Sequence, residues 1–339
     1  MKKAAVVILN YNGAQMLCDF LPKVVEYTPE AEIIVADNAS SDNSVQIVRD
    51  MFPAVRLLLL DKNYGFAGGY NKALEQVDAE YYVLLNSDVE VTPGWLAPIL
   101  EFMETNAKAV ACQPKILDYK DKSRFEYAGA AGGYIDRYGY PYCRGRIFDT
   151  IEIDNGQYDS VAPVFWATGA AMVVRSSAYR SAGGLDEFFF AHMEEIDLCW
   201  RLLARGGEIY ALPQSRVYHV GGATLNKSNP QKTYLNFRNN LFLLYKNLPK
   251  AELCHVMRWR RLLDYVAALK FLLTANVGDF KAVLRARRDF RKEKRRYAAV
   301  REANLSATVC GNIKGRRQFS LLWQYYVKGS RYFSRIKNQ

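Results

Sequence analysis

Over its first hundred residues the chain alternates short apolar runs with segments of helical period. The runs AAVVILN, AEIIVAD, VRLLLLD and YYVLLNSD are separated by helical patterns near 14–27, 42–51 and 68–77. Short runs that are apolar on both faces predict strands buried on both sides. Their alternation with helices predicts an α/β fold with a mostly parallel sheet covered on both faces. Each run stops in polar residues: Asn10-Tyr11-Asn12-Gly13, Asp37-Asn38-Ala39-Ser40, Asn63-Tyr64-Gly65-Phe66 and Asn86-Ser87-Asp88. Those ends should meet along one sheet edge, where an open α/β sheet receives its ligand. Segment 119–160, rich in Gly, Tyr and Asp, reads as a long loop or hairpin excursion. From about residue 233 the pattern turns helical and becomes punctuated by Arg. No internal repeat or low-complexity linker interrupts the first 245 residues or so.

Three strand ends carry candidate chemistry. Asp88 closes YYVLLNSD, where a rigid carboxylate can hold a divalent cation whose other positions go to phosphate oxygens and water; it can equally shape the turn before Val89-Glu90-Val91. Asp37 can accept hydrogen bonds from a ribose hydroxyl or a base imide, while Ser41 and Asp42 read as caps of the next helix. In NYGFAGGYN, Gly65, Gly68 and Gly69 permit positive φ and a close approach of backbone amides to a ligand, or merely a turn. Further on, Glu194, Glu195 and Asp197 crowd one helix start, where they complement the dipole or provide a general base. Asp197 lies one helical turn before Arg201 and can pair with it, which leaves Glu195 as the expected base. His219, followed by two further strand-end glycines, can complete a metal site or touch a diphosphate.

Composition adds two points. Six cysteines without a C-x-x-C pair lie mostly in apolar segments, which suits buried thiols in a reducing compartment and not a structural zinc site. The net charge of +11 is unevenly spread: residues 250–339 hold 22 Lys and Arg against 6 Asp and Glu, so an acidic-leaning body carries a basic tail that calls for an anionic partner. Within that tail Leu262, Val266, Leu269 and Leu273 fall on one helical stripe beside Arg258 and Arg261. The stripe fits either a helical subdomain packed on the body or an interfacial segment on an anionic membrane. The basic start and apolar run of MKKAAVVILNYNG are too short and too soon interrupted for a signal peptide, and LLDYVAALKFLLTANVG, broken by Asp264 and Lys270, falls short of a membrane span.

Taken in order, VVILNYNG, VADNASSDNS, NYGFAGGYNKAL, LLNSD, WATGAAMVVRSSAYRSAGGLDEFFF, HMEEIDLCWRLLARG and VYHVGG resemble the family 2 glycosyltransferases, inverting enzymes of GT-A fold, and in particular their rhamnosyltransferase-like branch. The resemblance covers residue 4 to about 245. It implies a GT-A domain over 1–245, with a nucleotide-sugar-binding half (1–118) and an acceptor-binding half (119–245), followed by a basic amphipathic helical extension (246–339). By position it implies nucleotide-sugar contacts at Asn10, Asn12, Asp37, Asn63, Gly65, Phe66, Gly69, Asn71 and Asp88. Acceptor contacts would come from Trp166, Thr168, Gly169 and Glu194, the base would be Glu195, and Mg²⁺ or Mn²⁺ would sit at Asp88 and His219. The chain departs from the family at two points. Asn86 stands where the metal motif often has its first Asp, and Glu194-Glu195 stands where Glu-Asp is usual.

The implied activity is transfer of a sugar, rhamnose among the candidates, from a nucleoside diphosphate sugar to a saccharide or lipid-linked acceptor in cell-surface polysaccharide synthesis. The implied location is cytoplasmic, peripheral on the inner face of the cytoplasmic membrane. One alternative is a sugar-1-phosphate nucleotidyltransferase, which would usually carry a basic glycine-rich loop after its first strand where this chain has LNYNGAQML. The other is a nucleic-acid-binding protein acting through RARRDFRKEKRRYAAVR.

Overall fold

The structure, a computed structural model, describes residues 3–221, 229–311 and 313–336. Its elements in order are β1 (Ala4–Asn10), α1 (Ala14–Tyr27), β2 (Ala31–Asp37), α2 (Ser44–Met51), β3 (Arg56–Leu59), α3 (Gly65–Leu74), β4 (Tyr81–Asn86), β5 (Val89–Val91), α4 (Ala97–Thr105) and β6 (Ala109–Asp118). There follow β7 (Gly133–Ile135), β8 (Pro141–Cys143), β9 (Arg146–Ile147), β10 (Thr150–Ile151), β11 (Ala162–Val164), β12 (Ala171–Arg175), α5 (Ser176–Ser181), α6 (Glu194–Ala204) and β13 (Glu208–His219). The chain ends in helices α7 (Pro230–Asn247), α8 (Lys250–Leu273), α9 (Val277–Glu293) and α10 (Ala298–Ser306) and a short irregular tail.

The main sheet runs β11-β13-β6-β12-β4-β1-β2-β3, with β5 paired to β13. Strands β4, β1, β2 and β3 are all parallel, with Asn10 beside Asp37 and Leu9 beside Asn86 in register. Their inner residues are almost wholly buried (Ala4, Val6, Val7, Ile34, Tyr82, Val83 and Leu85 at 0%), because helices cover both faces and leave no polar side to the strands. Since β2 and β4 flank β1 on opposite sides, the strand order reverses at β1, and the crevice beyond Asn10, Asp37 and Asn86 is the switch point where such sheets bind ligands. β12 enters antiparallel to both β4 and β6.

Segment 119–160 is more ordered than a loop: β10-β9-β8-β7 form a small antiparallel sheet. Its strands are two or three residues long, too short to show an alternating pattern in the sequence. The helices after residue 246 share the body's core, in which Leu248, Val256, Phe290, Tyr297 and Leu321 join Trp166, Phe189 and Trp200. Arg317 N–H also donates to Ile135 O (2.8 Å) and Val309 N–H to Ala204 O (2.8 Å), tying the tail to the small sheet and to the end of α6. Among the described residues no helix is long and apolar enough to cross a membrane.

Candidate active site

The strand ends build the first corner. Asn10 Nδ2 donates to Asp37 Oδ1 (3.1 Å) and to Ser40 Oγ (3.2 Å), and Asp37 Oδ2 accepts Ser40 N–H (2.9 Å). Both Asn10 and Asp37 are buried, and Asn10 Oδ1 has no hydrogen-bond partner among the described residues. Asn12, at φ 52°, faces solvent and locks the loops together: its N–H donates to Ser40 Oγ (2.9 Å) and its Oδ1 accepts Ser41 N–H (2.7 Å). Gly13 has to be glycine here, because a Cβ would lie 2.4 Å from Asn10 Oδ1; the same position is 3.7 Å from Ser87 Oγ, which joins this corner to the end of β4.

The glycine-rich segment does not offer its amides to a ligand as expected. The N–H groups of Phe66 and Ala67 both donate to Phe190 O (2.9 and 3.3 Å), so the start of α3 is already engaged by the chain. Of its three glycines only Gly65 has positive φ (71°), and the Phe190 ring covers it; Gly69 lets α3 close on Leu9 and Asn38. Asn63 Oδ1 accepts Gly65 N–H (2.8 Å) and Asn38 Nδ2 (3.1 Å), holding the turn. Asn71 is likewise committed to the protein, accepting Tyr179 O–H (2.6 Å) and Leu185 N–H (3.0 Å) and donating to Leu185 O (2.9 Å). Both had been expected at the nucleotide; the structure uses them to shape loops. Asn38, which sequence reasoning passed over, also accepts Tyr64 N–H (3.0 Å), and its only signal was an amide directly after a strand.

At the second corner His219 ends β13 opposite Val89, which places its Nε2 3.1 Å from Asp88 Oδ1 and 3.5 Å from Asn86 Nδ2. Its Nδ1 lies 3.3 Å from Glu126 Oε2. Burial favours neutral imidazole, but the Asp88 and Glu126 carboxylates outweigh it and raise the His219 pKa to about 10. The protein thus offers one carboxylate and one imidazole; among the described residues no group of three His, Cys, Asp or Glu could hold an ion by itself. A bound cation would take the place of the Nε2 proton and leave Nδ1–H on Glu126, which orients the ring from behind; Asp88 and the imidazole so deprotonated fit a cation that takes its remaining positions from phosphate and water. Glu126 comes from the segment read as a loop, and no pattern marked it. Gly222, the second glycine after His219, lies outside the described residues.

The third corner carries the carboxylates of α6. Asp197 is saturated, accepting Arg201 Nε (2.9 Å), Lys246 Nζ (2.8 Å) and Asn247 Nδ2 (2.8 Å), and although its burial opposes ionisation these partners hold its pKa below the usual range. Glu195 differs: part of the residue reaches the surface, yet its Oε2 is enclosed without a hydrogen-bond partner among the described residues. Burial lifts its pKa to about 7. Glu194, fully buried beside it, is pushed well above the carboxylate range by burial and by the Glu195 charge. A Cβ on Gly169 would stand 3.1 Å from Phe66 Cζ and 3.8 Å from Glu195 Cβ, so the two halves of the chain meet where Glu195 emerges. Thr168 supports this approach through its N–H to Gln113 Oε1 (3.0 Å). Trp166, expected at the acceptor, presents no ring to solvent: it is 2% exposed, donates Nε1–H to Tyr134 O (3.0 Å) and packs under Gly133.

The turn that delivers α6 is strained. Phe190 (φ 64°, ψ −57°) forms a three-residue turn closed by Ala191 N–H to Phe189 O (2.7 Å), and His192 (φ 69°) and Met193 (φ 73°) are also left-handed. Asn239 of α7 holds it, donating Nδ2 to the carbonyls of Phe189 (3.0 Å), Ala191 (2.9 Å) and His192 (2.8 Å), while Arg238 Nη2 donates to Phe188 O (2.8 Å).

Comparison with known proteins bears on the family and the fold. Residues 5–160 match the model of glycosyl transferase family 2. The chain is 29% identical over 231 residues, 63% of its length and 75% of the relative's, to the N-acetylglucosaminyl-diphospho-decaprenol L-rhamnosyltransferase of Mycobacterium tuberculosis. It is 23% identical over 69% of its length, and 73% of the relative's, to the low-salt glycan biosynthesis hexosyltransferase Agl10 of Haloferax volcanii. In structure it resembles the mannosyltransferase PcManGT of Pyrobaculum calidifontis, solved with GDP-Man and Mn²⁺ (TM-score 0.54, 16% identity, 90% of this chain and 85% of that one). It also resembles GalNAc-T7, solved with UDP, GalNAc and Mn²⁺ (TM-score 0.56, 15% identity), covering 73% of this chain and 48% of the larger one.

Proposed function

We propose, from the premise that this chain is a nucleotide-sugar glycosyltransferase with a family 2 domain on a GT-A fold, that it transfers a hexose, with rhamnose the first candidate, to a saccharide or lipid-linked acceptor of cell-surface polysaccharide. The observation that carries the mechanism is Glu195: a carboxylate with an enclosed, unpartnered oxygen and a pKa of about 7, placed where both halves of the chain meet. A base poised near the working pH is what deprotonation of an acceptor hydroxyl requires. In this reading the hydroxyl gives its proton to Glu195 as its oxygen bonds the anomeric carbon, and the carbon–oxygen bond to the nucleoside diphosphate breaks on the opposite face. One displacement inverts the configuration. Asp197, tied to Arg201 and Lys246, is fixed as a structural anion and takes no part in the proton transfer.

Asn10 and Asp37 would bind the nucleoside, and Asp88 and His219 would hold Mg²⁺ or Mn²⁺ against the diphosphate. Such an ion, when bound, neutralises charge on the leaving group. The two solved neighbours that carry Mn²⁺ support a divalent cation without fixing which one.

Helix α8 supports a peripheral position on the anionic cytoplasmic face of a membrane. It is built inside out. Its buried positions Val256, Arg260, Asp264 and Ala268 follow one another every four residues, and Asp264 pairs with Arg260 (3.1 Å) and Arg287 (2.6 Å). Trp259, Leu262, Val266, Leu269 and Leu273 face outward, between 44% and 78% exposed, with Arg258, Arg261 and Lys270 exposed around them. An apolar stripe edged with cations suits the boundary of an anionic bilayer.

The activity is tested by incubating the protein with a panel of nucleoside diphosphate sugars and divalent cation and detecting released nucleoside diphosphate. Turnover of one donor, deoxythymidine diphosphate rhamnose first, is expected. No release from any donor, with or without a lipid-linked saccharide, would overturn the reading.

A further inference from the structure

Three phenylalanines follow one another before the turn into α6, and they end in different places. Phe189 is wholly buried in the core, and Phe188 packs on Phe242 (ring centres 5.4 Å apart) and Tyr297 (5.9 Å). Phe190 is 50% exposed. Its backbone (φ 64°, ψ −57°) is in a conformation that is rare for a residue with a side chain and that clusters at functional sites. A single exposed apolar side chain needs no explanation by itself. One held out by a strained backbone, against neighbours that belong to the site, does.

Those neighbours are fixed by hydrogen bonds and close contacts. The Phe190 carbonyl accepts Phe66 and Ala67 N–H (2.9 and 3.3 Å), which anchors the residue to the start of α3. Its ring lies against Gly65, where a Cβ would stand 2.4 Å from Phe190 Cδ2 and 2.6 Å from Cε2, so this edge of the ring is covered. Gly65 O in turn accepts Nδ2–H of Asn38 (3.0 Å), the residue after Asp37, and so the covered edge adjoins the nucleoside corner. On the other side Phe66 reaches toward the base: the place of a Gly169 Cβ is 3.1 Å from Phe66 Cζ and 3.8 Å from Glu195 Cβ. Phe190 thus stands between the nucleoside corner and the start of α6. The transferred sugar has to lie in this interval, because its anomeric carbon must face the leaving diphosphate on one side and the acceptor hydroxyl at Glu195 on the other.

We propose that Phe190 is the platform for the transferred sugar: its open ring face covers the C–H face of the donor's pyranose, so that it recognises the sugar of the donor and not its nucleotide. The proposal rests on the transferase reading and adds no step to the reaction. A pyranose presents C–H groups on one face, and laying them on an aromatic ring removes apolar surface from water on both partners. The strained turn contributes by holding the ring in place before the donor arrives, so that little freedom is lost on binding.

The test compares each donor with its own leaving group. Isothermal titration in Mn²⁺ measures deoxythymidine diphosphate rhamnose, uridine diphosphate glucose and guanosine diphosphate mannose, and the free nucleoside diphosphates, against the wild type, Phe190→Tyr, Phe190→Leu and Phe190→Ala. Urea unfolding checks that each variant folds. For the donor that the wild type binds, Phe190→Leu and Phe190→Ala should weaken the nucleotide sugar about tenfold and the free nucleoside diphosphate by less than about twofold, whereas Phe190→Tyr should bind both as the wild type does. Equal weakening of the nucleotide sugar and the free nucleoside diphosphate would make the role structural, and no weakening of either would leave the ring without a ligand; both overturn the proposal. If Phe190→Ala does not fold, Phe190→Leu decides, because it keeps apolar volume over Gly65 and lacks only the flat face. A wild type that binds none of the donors and releases no nucleoside diphosphate from them overturns the transferase reading and the proposal with it. A wild type that turns over a donor whose affinity the Leu and Ala variants keep overturns the proposal alone.

Discussion

Replacing Asn239 with Ala removes an amide whose Nδ2 donates to the carbonyls of Phe189, Ala191 and His192 and whose Oδ1 accepts Arg238 Nε (2.9 Å). Those bonds hold a turn in which Phe190, His192 and Met193 all have positive φ, a conformation that costs about 1–3 kcal/mol per residue. The two N–H groups are shared among three carbonyls, so with the bond to Oδ1 about three hydrogen bonds' worth is lost, and at about 1 kcal/mol each the variant should lose about 2–3 kcal/mol of stability. The turn would still be tied by Phe66 and Ala67 N–H to Phe190 O and by Arg238 to Phe188 O, so unfolding is not expected. The effect on function should exceed the effect on stability, because the turn sets where α6 begins and hence where Glu195 points; a misplacement of about 1 Å can cost roughly a hundredfold in rate. Urea unfolding gives the first quantity, and kcat and KM for donor turnover at a temperature where the variant is fully folded give the second. A drop in kcat with KM for donor nearly unchanged is expected. A variant with stability within about 0.5 kcal/mol of wild type and kcat within about twofold would refute the argument that Asn239 holds the turn.

Three further outcomes are expected. Chelation or Asp88→Asn should abolish transfer while leaving the fold intact, with Mg²⁺ or Mn²⁺ restoring the chelated wild type; full turnover in chelator would remove the metal from the account. Glu195→Gln should stabilise the protein at pH 8, on the order of 1–2 kcal/mol after allowing for its partial exposure, and much less at pH 5, as read by thermal unfolding. The direction follows from its carboxyl, whose folded pKa is raised from 4.5 to about 7: the stability it contributes is present below 4.5 and lost as the pH rises through 7. On vesicles, the chain should co-sediment with anionic but not neutral lipid, less at high salt, and Leu262→Ser with Leu269→Ser should release it; equal binding to both lipids, or to neither, would count against α8 as the membrane face.

The parallel half of the sheet was legible because its strands are covered on both faces and therefore apolar throughout, and because each ended in a polar break. That alone located Asn10, Asp37 and Asp88 at one edge. The Asp197–Arg201 pair was readable from helical spacing, and Lys246 and Asn247 complete it from a helix 49 and 50 residues away, a contact no local pattern encodes. The small sheet stayed hidden because strands of two or three residues carry no period, and Glu126 stayed hidden with it. The expected amide cradle at Gly65 to Gly69 failed for a different reason: the Phe190 carbonyl, brought from more than a hundred residues away, occupies those donors first. Trp166 was placed at the acceptor by position in the resemblance alone, and that its ring is closed under Gly133 is a contact only the structure shows.

The central claim is that Glu195 takes the acceptor proton, and the pH dependence of kcat for wild type and Glu195→Gln, with the donor that the panel selects, tests it most directly. The wild-type rate should rise with pH through about 7 as Glu195 ionises. Glu195→Gln should be slower by about 10²–10⁴-fold, with donor affinity largely kept and that limb of the profile gone. A variant that turns over at near the wild-type rate, or that keeps the same limb, would contradict the account and move the base elsewhere in the cleft.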